Sequence, residues 1–284
     1  SFDEDGSGST TLVGSDIDDT DLAYSVSTGT DITASIDGAT VSFSAPANFN
    51  GSESFTATVT DGEFSASQIF TVTVNAVNDE PTANAASGTV DEDGSVVITL
   101  SGDDIDGDNL TFSSGAASNG TVELEGALAT YTPSADYNGS DSFTFSVSDG
   151  EYSATATVTI TISAVNDAPT LAAVDTVSFD EDGSGSTTLT GSDIDSNSLT
   201  YSVSTGTDIT AAVNGFTVTF TSGQDFNGSE SFTATVTDGE FSASQTFTVT
   251  VNAVNDAPTL AAVAGVSFDE DGSGSTTLVG SDID

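Results

Sequence analysis

Phe247-Thr248-Val249-Thr250-Val251-Asn252-Ala253-Val254-Asn255-Asp256-Ala257-Pro258 decides how this chain folds. Its opening residues alternate apolar and polar, so Phe247, Val249 and Val251 share one face of an extended strand. Val254-Asn255-Asp256-Ala257-Pro258 then breaks the alternation. The break recurs as Val77-Asn78-Asp79-Glu80-Pro81 and as Val165-Asn166-Asp167-Ala168-Pro169, each closing a run of alternating Thr and apolar residues. Roughly a dozen residues after each break comes an acidic triplet, at Asp91-Glu92-Asp93, Asp180-Glu181-Asp182 and Asp269-Glu270-Asp271. Asn-Asp-x-Pro therefore reads as the joint between successive domains.

The repeats bear this out. Phe2-Asp3-Glu4-Asp5-Gly6 recurs at Phe179-Asp180-Glu181-Asp182-Gly183, and the correspondence runs without gaps to Pro81 and Pro258. The middle copy diverges more but keeps Asp91-Glu92-Asp93-Gly94, Asp104-Ile105-Asp106, Tyr137-Asn138-Gly139 and Asp149-Gly150-Glu151. Ser267 to Asp284 repeats Ser1 to Asp18 residue for residue. The period is about 88–89 residues. The expected domains are residues 1–79, 80–167 and 168–256, with 257–284 as the start of a fourth. The first repeat lacks the residues that precede Phe179 in the third. Two readings stay open: a window of a longer array, or a subunit whose tail completes the truncated first domain of a neighbour.

Within a repeat, Phe232, Ala234 and Val236 share a face, as do Phe55, Ala57 and Val59, Phe143, Phe145 and Val147, and Phe70, Val72 and Val74. Period-two alternation broken by Gly, Asn and Asp means half-buried antiparallel strands. Asp61-Gly62, Asp149-Gly150 and Asp238-Gly239 sit between such runs and read as hairpins. In the third repeat, strands are expected around residues 175–179, 187–190, 199–203, 209–213, 216–220, 232–237 and 241–251. No long helical period appears. The fold class is all-β: tandem immunoglobulin-like sandwiches of about seven strands each, in an extended linear array.

Composition excludes most chemistry. The chain has 45 Asp and Glu, and no Lys, Arg, His, Cys, Met or Trp. A Ser-His-Asp triad, a Cys nucleophile, a Schiff-base lysine, a disulfide and a Cys/His zinc site are all impossible. Paired carboxylates remain as acid–base catalysts, but nothing marks one pair in one cleft. The 17 Phe are enough to fill several small cores. No apolar run is long enough to span a membrane. Nucleic-acid phosphates and anionic membranes are poor partners for a chain of net charge −45.

Without a cationic side chain, counter-charge must come from outside. Two carboxylates about 4 Å apart repel by roughly 1 kcal/mol in water and about 4 kcal/mol at an effective dielectric near 20. Tracing strand directions sends the acids to the joints. The first joint gathers Glu4, Glu53, Asn78 and Asp79 with Asp104, Asp106 and Asp149. The second gathers Glu92, Asp141, Asn166 and Asp167 with Asp193, Asp195 and Asp238. The third gathers Glu181, Glu230, Asn255 and Asp256 with Asp282 and Asp284. An all-oxygen set of this size suits Ca2+, which accepts 6–8 oxygens in flexible geometry, better than Mg2+, zinc or copper. The competing reading is that these acids only solvate turns. Asp18-Asp19-Thr20-Asp21 and Asp106-Gly107-Asp108 look like short calcium-loop runs, but the frame of an EF-hand is missing.

Asn-Asp-x-Pro, Asp-Glu-Asp-Gly, Asp-x-Asp, the Asn-Gly-Ser-Asp/Glu-Ser-Phe run and the Ser/Thr-Asp-Gly hairpin together resemble bacterial cadherin-like tandem repeats of giant surface adhesins. The resemblance covers the whole chain. It implies cadherin-like sandwiches and interdomain calcium, with Glu181 matching the first-strand glutamate, Glu230 the acid before the sixth strand, Asn255-Asp256 the linker, Asp193 and Asp195 the paired aspartates, and Asp238 the later Asp-x-Gly. One departure is that the cadherin linker carries an Asp two residues earlier, where this chain has Ala164 and Ala253. The leading expectation is a calcium-stiffened, extracellular structural array, the rod of an adhesin or a surface filament, whose partners are Ca2+ and further copies of the repeat in cis or in trans. The alternative is a module that recognises carbohydrate or protein, although Tyr24, Tyr201, Phe112 and Tyr131 fit buried strand positions. Glycosidase-like hydrolysis is a third reading, opposed by near-identical acids in every repeat.

Overall fold

The computed structural model describes residues 1–282. Its contacts fall into two compact units, Ser1–Ala164 and Val165–Asp284. Among the described residues there is no helix.

The first unit holds two sandwiches. In the first, β1 (Phe2–Asp3), β2 (Ser7–Thr11), β3 (Ala23–Val26), β4 (Thr33–Asp37), β5 (Thr40–Ser44), β6 (Gly51–Thr60) and β7 (Ser65–Asn75) form sheets ordered β1-β7-β6-β3 and β2-β5-β4. In the second, β8 (Thr82–Asn84), β9 (Ala86–Asp91), β10 (Val96–Thr99), β11 (Ser101–Asp103), β12 (Thr111–Ser114), β13 (Gly120–Glu125), β14 (Leu128–Pro133), β15 (Gly139–Ser148) and β16 (Ser153–Ser163) form sheets β12-β15-β16-β9 and β10-β14-β13, with a ribbon of β8 and β11.

The second unit repeats this plan. Its strands are β17 (Thr170–Leu171), β18 (Val177–Asp180), β19 (Ser184–Thr188), β20 (Gly191–Ser192), β21 (Thr200–Val203), β22 (Ile209–Asn214), β23 (Thr217–Ser222), β24 (Gly228–Thr237) and β25 (Ser242–Asn252). They make sheets β18-β25-β24-β21 and β19-β23-β22 and a ribbon of β17 and β20. A last pair, β26 (Thr259–Leu260) and β27 (Gly280–Ser281), follows.

Two features depart from the expectation. The first strand of each large sheet pairs parallel with the last, Phe179 opposite Val251 and Phe2 opposite Val74. A whole domain lies between these partners, long enough for the crossover that parallel pairing needs. And β24 starts at Gly228 rather than near Phe232, because Gly228 to Ser231 stay laddered to Val251 through Thr248. Ser229, Glu230 and Ser231 are polar, so the apolar alternation understates this strand.

The cores follow the alternation. Phe220, Phe232 and Phe247 meet with centroids 5.2, 5.8 and 6.1 Å apart, and Phe43, Phe55 and Phe70 form the matching trio of the first sandwich. The second sandwich is centred on Tyr131, Phe143 and Phe145. Val, Phe and Ile fill one face of each strand while Ser and Thr face water, which is what a half-buried pleated surface selects.

Candidate functional site

The acids at the trailing end of each sandwich are set by one local device. In Asp3-Glu4-Asp5-Gly6 the Glu4 N–H donates to the carbonyl of Asn75, 3.0 Å away, extending the parallel ladder by one residue. Gly6 N–H closes a turn onto the carbonyl of Asp3 at 3.1 Å. Asp5 takes a left-handed conformation, φ 58°, which Asp tolerates better than most residues. The turn leaves Glu4 6 % exposed, with Oε1 accepting the linker N–H of Val77. Glu92 and Glu181 sit in the same turn, their N–H groups donating to Ser163 and Asn252, and both are buried. Glu181 Oε1 accepts the N–H of Val254, and Glu92 Oε2 accepts the Asn138 amide at 3.4 Å.

At the leading end the next sandwich grips the linker. Asn78 donates to Asp149 Oδ2 at 2.8 Å, and the Asp79 N–H donates to Asp106 Oδ2 at 2.8 Å. In the second unit the same pair of bonds forms between Asn166 and Asp238 and between the Asp167 N–H and Asp195, both at 2.8 Å. Each receiving acid is itself anchored. Asp149 Oδ1 takes the N–H groups of Glu151 and Tyr152, and Asp238 Oδ1 those of Glu240 and Phe241. Asp104 Oδ1 takes those of Asp106 and Asp108, and Asp193 Oδ1 those of Asp195 and Ser196. Burial would raise the Asp149 carboxyl, but the Asn78 amide and the two N–H groups outweigh it and hold it below the ordinary carboxylate range. The Asn166 amide and the Glu240 N–H likewise hold Asp238 low.

Within the first unit these two ends meet. Oxygens of Glu4, Asp79 and Asp106 lie within 4.8 Å of one another, and Asp104, Asp106 and Asp108 form a second such group that shares Asp106. Glu4 Oε2, Asp79 Oδ2 and Asp104 Oδ2 are buried and accept no hydrogen bond among the described residues, as is Asp193 Oδ2 in the second unit. Burial, and then the charges of Asp106, Asp5, Glu4 and Asp104, push the Asp79 carboxyl above the usual range. Buried, unpaired carboxylate oxygens are costly, and the chain contains no cationic side chain to meet them. A hard divalent cation fits this all-oxygen donor set.

Three expected ligands point elsewhere. Glu53 has the parity of Phe55 on β6 and so faces the sandwich interior, where its carboxylate accepts the N–H groups of Thr30, Asp31 and Ile32. The Asp31 and Ile32 amides hold its carboxyl below the usual range. The Glu230 carboxylate accepts the N–H groups of Thr207 and Asp208. Asp141 accepts from Ser118, Asn119, Ser142 and the Tyr131 hydroxyl, the last at 2.8 Å. These residues clamp the loop that faces them across the sandwich. Gly29 and Gly206 leave room for the clamp: a Cβ at Gly206 would strike the Ile209 carbonyl, the Glu230 carboxylate and the Phe232 ring. Asp282 is exposed just after β27, and Asp284 lies outside the described residues. In the second unit Asn255 donates to the carbonyl of Asp256 at 2.7 Å.

Asp182, Asp225 and Asp256 instead bring their oxygens within 4.8 Å of one another. Asp182 and Asp225 are both left-handed, with φ 60° and 57°. The first sandwich has Asp5 and Asn48 at these places, joined by the Asn48 N–H to Asp5 Oδ1 at 3.2 Å. The expected ligands did not include the Asp or Asn before Phe/Tyr-Asn-Gly. Its recurrence as Asn48, Asp136 and Asp225 was the available signal.

The clamp of the second sandwich gives a direct expectation. Burial by itself would raise the Asp141 carboxyl, but the Tyr131 hydroxyl and the N–H groups of Asn119, Ser142 and Ser118 hold it low. A depressed folded value contributes stability above the unfolded value of about 3.9 that is lost as pH falls through the folded one. Asp141→Ala takes the 2.8 Å acceptor from a fully buried Tyr131 hydroxyl, which keeps only the Asn119 carbonyl at 3.3 Å, and leaves the Ser118 and Asn119 N–H groups without theirs. It is expected to destabilise the second sandwich by about 2–3 kcal/mol in urea unfolding at neutral pH. The difference from wild type should shrink in acid; equal stability of the two proteins at neutral pH would refute the clamp.

No curated protein sequence matches this chain. Among solved structures, it is similar to Drosophila N-cadherin EC1-4 at 16% identity and TM-score 0.46, covering 82% of this chain and 67% of that one. Mouse protocadherin-24 EC1-3 is similar at 15% identity and TM-score 0.49, covering 86% and 92%. An endo-fucoidan hydrolase of glycoside hydrolase family 107 is similar at 18% identity and TM-score 0.30, covering 88% of this chain, which spans 42% of that enzyme. These likenesses concern fold alone. The family of the bacterial Ig domain matches residues 1–75, 78–161 and 166–252, one match for each sandwich. The chain therefore belongs to the bacterial Ig domain family, as three tandem β-sandwiches.

Proposed function

We propose that this chain is a length of calcium-stiffened rod outside a bacterial cell, the extender of an adhesin or part of a surface filament. The repeat boundaries in this reading stay at 79/80, 167/168 and 256/257. One observation carries it: Glu4, Asp79 and Asp106 converge at the end of one sandwich, in the linker and at the start of the next, and Glu4 and Asp79 each bring a buried oxygen that no side chain of a chain without Lys, Arg or His can neutralise. Glu4, Asp79, Asp104, Asp106 and Asp108 would hold the ion at this joint, Asp182, Asp225 and Asp256 at the third, and Asp193, Asp195 and Asp167 the leading half at the second. Calcium supplies the positive charge that the sequence lacks. Asn78 and Asp149 orient the linker, and the Glu4 turn fixes the end it leaves. Extracellular modules bind Ca2+ with Kd of about 0.1–1 mM, matched to the medium outside a cell. Small-angle scattering of the chain with calcium and with chelator tests this. The maximum dimension is expected to narrow to one value with calcium and to spread and shorten in chelator. Identical curves in both would sink the reading.

A further inference from the structure

Each sandwich presents one aromatic ring on a hairpin that is fixed from both sides. In the second, Asp149 Oδ1 accepts the Tyr152 N–H at 2.7 Å, and the Ser148 hydroxyl donates to the Tyr152 carbonyl at 2.8 Å. In the third, Asp238 Oδ1 accepts the Phe241 N–H at 2.7 Å, and the Thr237 hydroxyl donates to the Phe241 carbonyl at 2.6 Å. Asp61 and Thr60 hold Phe64 in the same way. The rings are nonetheless open to solvent, Tyr152 45 % exposed and Phe241 44 %. Two more apolar side chains are tied to each network. Asp149 takes the Asn78 amide and Asp106 the Asp79 N–H, which brings in the neighbouring Val77 and Ile105, 44 % and 64 % exposed. Asp238 takes the Asn166 amide and Asp195 the Asp167 N–H, which brings in Val165 and Ile194, 43 % and 62 % exposed. An aromatic ring, an Ile and a Val thus stay open at the same places in both units. On β15 and β16, by contrast, every outward position is Ser or Thr.

Single exposed apolar residues mean little, but a set that recurs in register marks a contact surface. Its size and charge select the partner. Three side chains fall far short of the roughly 20–30 residues per side of a stable protein–protein interface. A repeating polymer needs no more than this from each repeat, because its affinity multiplies over the repeats that it reaches. The chain has no Lys, Arg or His and a net charge of −45, so an acidic polymer is repelled. A sugar ring offers an apolar C–H face that lies flat on an aromatic side chain, and hydroxyls that donate to carboxylates. Glu151 and Glu240, exposed one residue before Tyr152 and Phe241, are carboxylates of that kind. We infer that the hairpin rings Phe64, Tyr152 and Phe241 are stacking platforms for a neutral polysaccharide, with one sugar contact to each repeat. Held at both N–H and carbonyl, each ring loses little backbone freedom on binding. The contact adds recognition to the array. It does not rest on bound calcium, because the Asp side chains themselves fix the hairpins.

The test is affinity electrophoresis of the 284-residue chain through gels that hold a neutral glucan, a neutral mannan or a neutral galactan. Polygalacturonate and poly-lysine serve as the acidic and basic controls. At least one neutral gel is expected to retard the chain. Phe64→Ala, Tyr152→Ala and Phe241→Ala together are expected to weaken that retention by roughly 100-fold, the order of gain that linked contacts supply. The unfolding transitions of the sandwiches should stay unchanged in this variant. Tyr152→Trp keeps a ring on the hairpin and supplies the only tryptophan of the chain. Its emission is expected to shift to the blue when the retarding polysaccharide is added. Free passage through all three neutral gels overturns the inference, as does retention that survives the triple variant or a tryptophan that does not respond. Retention by poly-lysine alone also overturns it, and would make the surface a docking site for a basic protein.

Discussion

Removing calcium is expected to lower the unfolding temperature of this chain by roughly 6–20 °C. A ligand that binds only the folded state stabilises by RT ln(1 + [L]/Kd); at about 10 mM calcium and Kd of about 0.1–1 mM this is roughly 1.4–2.7 kcal/mol per ion. For domains of this length each kcal/mol moves the midpoint by about 4–8 °C. Asp79→Asn separates ion binding from simple loss of a contact. Asp79 sits among Asp106, Asp5, Glu4 and Asp104, and its carboxyl is pushed up by burial and by those charges. A raised carboxyl costs stability as pH rises through it, so the neutral amide should be no less stable than wild type in chelator. In calcium the same variant should gain less than wild type at the first joint. Differential scanning calorimetry in calcium and in chelator measures both. A wild-type midpoint unmoved by chelator would remove the basis for the calcium rod.

Phe232→Ala is expected to cost the third sandwich about 3–5 kcal/mol, a large part of what a domain this size possesses. Phe232 is fully buried, with Phe220 at 5.2 Å and Phe247 at 6.1 Å, and Gly206 closes over its ring edge. Truncation leaves a cavity that neither sheet can close, because each is held by its own ladder and the loop above it by Glu230. Phe241, half-exposed at the β24–β25 hairpin, is the control, and Phe241→Ala should stay within about 0.5 kcal/mol of wild type. Denaturant unfolding should show one of three transitions shifted for Phe232→Ala and none for Phe241→Ala. Equal shifts would mean that the aromatic trio is not the centre of this core.

The two predictions rest on parts of the chain that differ in how readily they are read. The Phe232 face follows from Phe232, Ala234 and Val236 alternating with Thr, a local property of an extended backbone. Hairpins at Asp61-Gly62 and Asp238-Gly239 were legible for the same reason, although each is a four-residue loop held by the Asp side chain, with Asp61 Oδ1 accepting from Glu63 and Phe64. The ribbons of β8 with β11 and β17 with β20 were not legible. Each strand spans only two or three residues, too short for any periodicity to register.

The joint acids divide along the same line. Glu4, Asp79 and Asp106 could be brought to one place by counting strands, since each strand reverses the chain direction. Glu53, Asp141 and Glu230 were sent to the joints by that same count, which places the start of a strand but not the face its side chain takes. Their parity with Phe55, Phe143 and Phe232 turns them inward onto the loop opposite.

From sequence alone come the all-β class, the tandem repeat and the exclusion of every chemistry that needs Lys, His or Cys. These are consequences of short-range periodicity and of residue types that are simply missing. The tertiary structure decided which carboxylates face one another. It paired the first strand parallel to the last, turned Asp182 and Asp225 toward Asp256 through left-handed backbones, and spent Glu53, Asp141 and Glu230 on amides within their own sandwiches. Such encounters join residues tens of positions apart. Only the packing of one sheet on the other fixes their distances.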